Sequence, residues 1–400
     1  MLETVKLYDA SNIETLQWPA SESGVQARGL LSFLVKEGVQ KYVGNVETQF
    51  YLLAVDDLVL PITVNRREYQ NSYVASNYYG VIQLQEALRG SPFWRRLCKP
   101  TFWLIGKLFE MVKINQMVMV NNWFFSTNPY PPLAAEQTER VALFLRRQFP
   151  LHTLIFRGVN EVRETSLLSA LQEVRFHCFP IRKIYVYDPG KSEALSSKVL
   201  YHHRRDLRLM ETHGYTLVYK KEWREEEIDR MLELYRQVYV ERYTSYSPAY
   251  TAFFLKKAFE SGVMEVMTLE KNGRIDGVMG VRCFHGMMTV PFFGYDTHLP
   301  KSVGIYRMMS VLIIKEAERR GLILNDSSGA DASKSFRGLK PHTEYVAIYD
   351  RHLPLLRRLF WTSASKLINA FGYNRRSLRE SGRESSDLPL QAPFQGHDPF

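Results

Sequence analysis

The segment from Asn325 to Gly338, NDSSGADASKSFRG, joins small residues to two cations directly behind the apolar run Leu322 to Leu324. Small residues let a backbone approach a ligand closely, and exposed cations at positions 334 and 337 would favour an anionic ligand. The predicted substrate contacts are Asn325, Ser327, Ser328, Lys334 and Arg337. The alternative is a solvated loop, in which Asp331 or Ser333 only caps a helix.

A second candidate site lies at the junction from Leu299 to Gly304, where a helix is predicted to begin near Ser302 or Val303. The unpaired N–H groups and the positive dipole end of a helix start suit a pyrophosphate or a carboxylate. Lys301 would add a charge, and Gly304 would permit close approach. The predicted cofactor contacts are Lys301, Ser302, Val303 and Gly304. An ordinary helix start, with Ser302 as the N-cap, is the alternative.

The composition sets the class of protein in which these sites must work. A chain of 400 residues is longer than one core usually supports, so two domains are expected. Its 52 Lys and Arg against 42 Asp and Glu give a net charge of +10. This charge favours an anionic partner, although scattered basic residues also serve solubility alone.

Cysteine usage and the N-terminus indicate the compartment. The three cysteines, Cys98, Cys178 and Cys283, lie far apart, so neither a disulfide framework nor a metal site is predicted. No basic start followed by an apolar stretch opens the chain, and Lys107 and Glu110 interrupt the longest apolar region. We therefore expect a cytoplasmic protein without a membrane span.

Strand patterns that alternate with helical patterns position the candidate sites in an α/β structure. Gln49 to Val55 and Leu58 to Val64 predict a hairpin, and Asn272-Gly273 predicts a second one between two longer apolar runs. A third strand follows at Met288 to Phe293. The stretch Asp188 to Ser197, rich in Pro, Gly and Ser, is the predicted domain boundary.

The second half carries the pattern on which a family resemblance depends. Its order from Tyr215 to Tyr349 is strand, two helices, three antiparallel strands, helix, strand, short helix and strand. This order resembles the Gcn5-related acetyltransferase (GNAT) fold. The motifs GYDTHLPKSVGIYRMM, LNDSSGADASKSFRG and EYVAIYDRHLP, with NSYVAS, VNNWFFSTN and FRGVN in the first half, are similar to those of a bacterial two-lobed GNAT group related to FemAB-like transferases.

The resemblance implies two tandem GNAT-like lobes, each with a mixed, mostly antiparallel sheet flanked by helices. The expected boundaries are residues 1–197 and 198–372 for the lobes and 373–400 for a disordered tail. The implied reaction moves an acyl group, with acetyl expected, from a coenzyme A thioester to an amine of a small molecule, peptide or amino sugar. Of the family's phosphate-binding signature, only Gly304 is present.

Acyl transfer to an amine needs a group that takes the proton and donors that stabilise the developing oxyanion. We predict Asp296 as the base or amine anchor and Tyr295 as proton donor to the leaving group. A turn in which Asp296 bonds to its own backbone is the alternative. Two other functions stay open: a FemAB-like transferase that uses aminoacyl-tRNA, and a catalytically silent binding protein.

Overall fold

The computed structural model describes residues 5–79 and 92–368. The predicted disordered tail, residues 373–400, lies outside the described residues. The strands are β1 (Lys6–Tyr8), β2 (Gln49–Val55), β3 (Leu58–Asn65), β4 (Met117–Val120), β5 (Thr153–Asn160), β6 (His177–Tyr187), β7 (Thr216–Tyr219), β8 (Glu265–Lys271), β9 (Arg274–Phe284), β10 (Met287–Tyr295), β11 (Ile323–Asn325) and β12 (Lys340–Tyr349). The helices are α1 (Glu22–Glu37), α2 (Pro92–Met111), α3 (Ala135–Gln148), α4 (Thr165–Glu173), α5 (Ser197–His213), α6 (Glu225–Arg236), α7 (Ala252–Glu260), α8 (Ile305–Arg320), α9 (Asp331–Phe336) and α10 (Leu355–Ile368).

All of these strands join one sheet in the order β1-β2-β3-β4-β5-β12-β6-β11-β10-β9-β8-β7. Replacing each of β1 to β6 by the strand six places later, and the reverse, gives the same order read backwards. The sheet therefore has an internal twofold pseudosymmetry that relates β1–β6, the first half, to β7–β12, the second half. The predicted fold class of two lobes, each mixed and mostly antiparallel, is confirmed.

The centre of the sheet is where the two halves exchange strands. β12 of the second half lies between β5 and β6 of the first half, and β6 lies between β12 and β11. Each half is therefore completed by a strand of the other. The predicted boundary at residues 197 and 198 coincides with the start of α5, and it stays a prediction because the exchanged strands hold the halves in one sheet.

Local chemistry explains why the second half folds as the pattern predicts. Asn272 and Gly273 both adopt positive φ angles, 51° and 75°, as a tight turn with the twist of the flanking strands requires. This turn joins β8 to β9, whose ends pair at Lys271 and Arg274. The predicted hairpin is confirmed, and β10 continues the antiparallel meander on the other edge of β9.

The two faces of the second half are covered by different helices. The face with Val278 and Phe292 shares an apolar core with α6, α7 and the first half, whereas the face with Met279 and Met288 packs against α8. None of the helices in the described ranges is long and apolar enough to cross a membrane.

Candidate active site

The opening between β10 and β11 is the central feature of the second half. These parallel strands pair over only three positions, from Met287 with Ile323 to Thr289 with Asn325. β10 continues to Tyr295, whereas the chain after Asn325 turns to β6, where Asp326 N–H donates to the Tyr185 carbonyl at 2.9 Å. The two strands therefore diverge and leave a wedge that begins at Thr289.

The pseudosymmetric position in the first half, between β4 and β5, is closed by a side chain. The hydroxyl of Tyr130 lies 3.2 Å from the carbonyl oxygen of Val120 on β4 and 3.1 Å from that of Arg157 on β5. Tyr130 is buried, so its ring fills the space where these two strands separate. Only the wedge of the second half is thus placed to admit a substrate.

Side chains from both halves converge at this wedge and form what we call the central cleft: Tyr73, Arg157, Arg182, Tyr239, Tyr306 and Asp326. All six lie deep in the molecule, yet each keeps partial access to solvent. Groups that are surrounded by protein but still reach water line a narrow opening rather than a sealed core. Since they come from different loops, strands and helices, only the folded chain brings them together.

Asp326 is the carboxylate at the mouth of the wedge. Its side chain is 23% exposed, and one oxygen lies 3.4 Å from Lys334 Nζ. Burial raises the pKa of Asp326, although Lys334 and Arg337 oppose this effect. A carboxyl with a raised pKa and access to solvent can accept and release a proton. Asp326 was not among the predicted site residues, although it lies between two of the predicted substrate contacts, Asn325 and Ser327.

Two tyrosines, Tyr239 and Tyr306, lie close enough to this carboxylate that, besides burial, its charge raises their pKa. Burial, and then the charge of Asp326, raises the pKa of Tyr306 to about 12, so its hydroxyl stays protonated at neutral pH. The pKa of Tyr239 is raised by the same kinds of effect. Tyr295, predicted as a proton donor, is nearby, since its ring centroid lies 6.0 Å from that of Tyr306. Arg242 donates to the Tyr295 hydroxyl at 3.4 Å.

The two cations predicted to be exposed are buried, which corrects one premise of the predicted ligand site. Lys334 is 8% and Arg337 is 3% exposed. Lys334 Nζ donates to the carbonyl oxygens of Asp326 and Ser328. It thereby holds the backbone that leaves β11. Backbone carbonyl oxygens without a strand partner attract a cation. The ammonium group of Lys334 is therefore more favourable beneath the loop than in water.

The remaining predicted substrate contacts differ in accessibility. Asn325 is buried, Ser327 is half-buried and Ser328 is exposed. Ser327 accepts a hydrogen bond at 3.3 Å from the hydroxyl of Thr127 in the first half. Their substrate roles stay predictions.

Asp296 points into a network of charges instead of an open space. It is 3% exposed, one oxygen accepts from Arg230 at 2.7 Å and from Arg274, and the other accepts from the His298 N–H at 3.0 Å. Burial alone would raise the pKa of Asp296, but these donors outweigh it and the net pKa is lowered. The predicted role as base stays a prediction, and the contacts favour a structural role.

We expect Asp296→Asn to lower the free energy of unfolding by about 1–3 kcal/mol, because two arginines lose the charge they share. The rate of acyl transfer per folded molecule should stay within about twofold of the parent. Urea unfolding combined with active-site titration measures both quantities. A loss of turnover without a loss of stability would instead support Asp296 as the base.

The predicted phosphate junction is rearranged at its start. Lys301 to Val303 form a 3-10 turn, and α8 begins only at Ile305, because Gly304 has a left-handed φ of 68° that no helix interior permits. The predicted helix start near Ser302 or Val303 is therefore wrong by two or three residues. A Cβ at position 304 would lie 2.8 Å from Leu209 of α5. Gly304 thus serves the turn and helix packing, while Lys301 and Ser302 are exposed.

The adjacent residues His202 and His203 on α5 differ in burial, since His202 keeps partial access to solvent and His203 does not. His203 is 2% exposed, and its Nε2 lies 2.9 Å from the Arg337 carbonyl oxygen. It shares the inward side of α5 with Asp206, three residues later, which explains its burial.

Among the described residues, no group of three or more His, Cys, Asp or Glu could hold a metal ion.

The fold is that of an α/β protein whose second half has an opening between two diverging parallel strands. Residues 197–333 match the family model described as the acetyltransferase (GNAT) domain, Acetyltransf_6. This part of the chain is therefore similar to GNAT acetyltransferase domains, as the resemblance predicted. The match supports acyl transfer as the general class of reaction.

Comparison with solved structures gives distant likenesses. A conserved protein of unknown function from Bacteroides thetaiotaomicron is 13% identical, with 87% of this chain and 99% of that chain covered and a TM-score of 0.47. L-PGS from Bacillus licheniformis is 15% identical, with coverages of 64% and 84% and a TM-score of 0.46. A tandem GNAT protein from the clavulanic acid biosynthesis pathway is 10% identical, with coverages of 86% and 98% and a TM-score of 0.37. These values say nothing about the substrates of this chain, and no curated protein matches it.

Proposed function

We propose that the protein is an N-acyltransferase whose reaction centre is the wedge between β10 and β11. The observation that carries this proposal is the early divergence of the two strands at Thr289 and Asn325, with the partly exposed Asp326 at the mouth. The pseudosymmetric wedge is filled by Tyr130, so one reaction centre per chain is expected.

The side chains around the wedge support a proton path for this reaction. An amine attacks the acyl carbon as the neutral base, so the proton it loses must be taken up. Asp326 accepts that proton, because its raised pKa brings it closer to the pKa of the attacking group. Tyr306 donates a hydrogen bond to the oxygen that gains negative charge. Tyr295 keeps its predicted role as proton donor to the leaving group, since burial raises its pKa and keeps it protonated.

A coenzyme A thioester is the proposed donor, supported by the acetyltransferase family match. The exposed Lys301 and the first N–H groups of α8 fit a phosphate, whereas Gly304 is covered by Leu209 and gives no close approach. When bound, such a donor supplies an activated acyl carbon. Lys301, Ser302 and Val303 would hold its phosphates, with Gly304 setting the turn between them and α8.

An aminoacyl-tRNA is the second candidate donor, and the surface of α5 favours it. This helix packs beside the start of α8 and presents the exposed cations Lys198, Arg204 and Arg208. Exposed cations next to the start of α8, where the donor is proposed to bind, suit a polyanion better than a single pyrophosphate. The covered Gly304 is consistent with this alternative as well.

Titration calorimetry with acetyl-CoA, longer acyl-CoAs and charged tRNA tests the proposal. We expect an acyl-CoA to bind with one site per chain, and Lys301→Ala to weaken binding by about tenfold because one charge-assisted contact is lost. Lys340→Ala, at the exposed first residue of β12, is the matched control and should bind like the parent. Binding of charged tRNA that falls steeply with salt, without retention of acyl-CoA, would select the second candidate. If neither donor binds, the proposed function is wrong.

A further inference from the structure

Three buried polar side chains lie in one row across the sheet where the wedge begins. Arg282 on β9 is paired with Thr289 on β10, and Thr289 is paired with Asn325 on β11. Residues directly opposite each other on neighbouring strands point to the same face of a sheet. Their exposures are 3%, 1% and 1%. The row therefore lies at the level of the sheet where the wedge begins.

Each member of this row has a polar atom without a partner. Nη1 of Arg282, Oγ1 of Thr289 and Nδ2 of Asn325 are buried and make no hydrogen bond within the part of the chain that the structure describes. The amide oxygen of Asn325 accepts from the Ser327 N–H at 3.0 Å, which directs the NH₂ group away from that bond. Buried donors are nearly always satisfied, so three unsatisfied groups in one row require an explanation.

Arg282 is the most unusual of the three. Among the described residues no carboxylate pairs with it, and its guanidinium lies against the rings of Trp123 at 4.1 Å and Phe284 at 4.7 Å. Burial alone lowers the pKa of Arg282 to about 9. Aromatic faces attract the cation but accept none of its N–H bonds in the guanidinium plane. A buried charge with neither counter-charge nor hydrogen bonds is costly to the folded protein.

We propose that Arg282, Thr289 and Asn325 bind the carboxylate of the acceptor substrate, which is then an amine that also carries a carboxylate, such as a free amino acid. A single negative charge matches the single guanidinium, whereas a phosphate dianion would leave excess charge between aromatic walls. The guanidinium, hydroxyl and amide supply donors for both carboxylate oxygens. The assignment to the acceptor rests on the proposed function.

The position of the row gives the carboxylate a role in orientation. It lies on the face that carries Trp123 and Phe292, while the chain alternates to present Asp326, one residue after Asn325, to the opposite face. A carboxylate held by this row would leave the amine of the same molecule to extend along the opening toward Asp326. Holding a substrate at two points restricts the approach of its amine to the acyl carbon.

Thermal unfolding in sodium acetate, glycine and inorganic phosphate, each against chloride at equal ionic strength, tests the site without catalysis. For the parent we expect acetate and glycine to raise the Tm by about 2 °C at saturation, and more than phosphate does. Arg282→Met should unfold at an equal or higher Tm without carboxylate, because it removes an unpaired buried charge, and should lose the carboxylate response.

Two further variants keep this test decisive. Arg320→Met removes an arginine that is paired with Glu265 and Glu316, so it should lower the Tm and retain the response. Thr289→Val preserves shape, removes one donor and should reduce the response even if Arg282→Met fails to fold. No carboxylate response in the parent, a larger response to phosphate, or an unchanged response in Thr289→Val and Arg282→Met would overturn the proposal. Because no turnover is measured, a failure of the proposed acyl transfer is seen separately.

Discussion

Replacement of Asp326 by asparagine is expected to lower the rate of acyl transfer by about 10²–10⁴-fold, the usual contribution of a positioned general base. Asparagine keeps the size of the side chain but cannot take the proton of the attacking amine. Steady-state and single-turnover rates with the donor identified by calorimetry measure the effect. The affinity for the donor should change little, since the ion-pair partner of Asp326 is Lys334, outside the proposed donor contacts at Lys301 to Gly304.

The stability of the same variant separates catalysis from structure. The pKa of Asp326 is raised by burial, so its folded pKa lies above its unfolded value. A group of this kind stabilises the fold below its unfolded pKa and loses that contribution as the pH rises through the folded pKa. At neutral pH the ionised carboxylate therefore opposes folding, and Asp326→Asn should be as stable as the parent or more stable.

The pH dependence of kcat in the parent protein provides a second test of the role of Asp326. The base is active only when it is ionised, so kcat should fall as the pH drops through the raised pKa of Asp326, above the range of an ordinary aspartate. Asp326→Asn should lack this limb in its residual activity. An Asp326→Asn variant with parental kcat and an unchanged pH profile would remove Asp326 from the mechanism.

Local signals in the sequence were enough to predict the second half of the fold. Asn272-Gly273 specified a turn with two positive φ angles, and the sequence located α8 to within three residues at its start. The exchange of β6 and β12 could not be predicted, because both strands mix polar residues such as Arg182 and Glu344 with apolar ones, and this pattern does not specify which strand lies beside them. Pairing partners are decided by the assembled sheet rather than by each strand.

The candidate site was predicted at the level of a segment and missed at the level of individual side chains. The loop after β11 does border the wedge, yet Asp326 was passed over in favour of Asp296, which is occupied by two arginines. Two aspartates look alike in a sequence, and only the folded neighbours decide which one keeps access to solvent. A usable signal did exist for Arg282, since a lone arginine interrupts the apolar run from Val278 to Phe284.

Lys334 and Arg337 illustrate the same limit in physical terms. Cations in a Ser- and Gly-rich loop are typical of solvated surfaces, but both side chains turn inward, Lys334 to carbonyl oxygens of its own loop and Arg337 to an acceptor on another element. For Arg337 that acceptor is Asp206, which lies on α5 and is far away in the sequence. The loop that borders the wedge is thus held from beneath by buried charges.

Asp206→Asn is expected to lower the free energy of unfolding by about 3–5 kcal/mol, because it leaves buried cations without their counter-charge. The Asp206 side chain has no exposed surface, and its two oxygens accept from Arg337 at 2.6 Å and from Arg307 at 2.6 Å. These bonds tie α5 to α8 and to the end of α9. Urea unfolding followed by circular dichroism measures the loss.

The pH dependence of stability follows from the same contacts. Burial alone would raise the pKa of Asp206, but hydrogen bonds and charge from Arg307 and Arg337 outweigh it, and the net pKa is lowered. A lowered folded pKa contributes stability above the unfolded value of about 3.9, and this contribution is lost as the pH falls through the folded pKa. The difference in the free energy of unfolding between the parent and Asp206→Asn should therefore be full at neutral pH and shrink in acid.

Glu226→Gln, at an 84% exposed carboxylate, is the control and should change stability by less than about 0.5 kcal/mol. Equal stabilities of Asp206→Asn and Glu226→Gln at pH 7 would show that these buried arginines need no counter-charge.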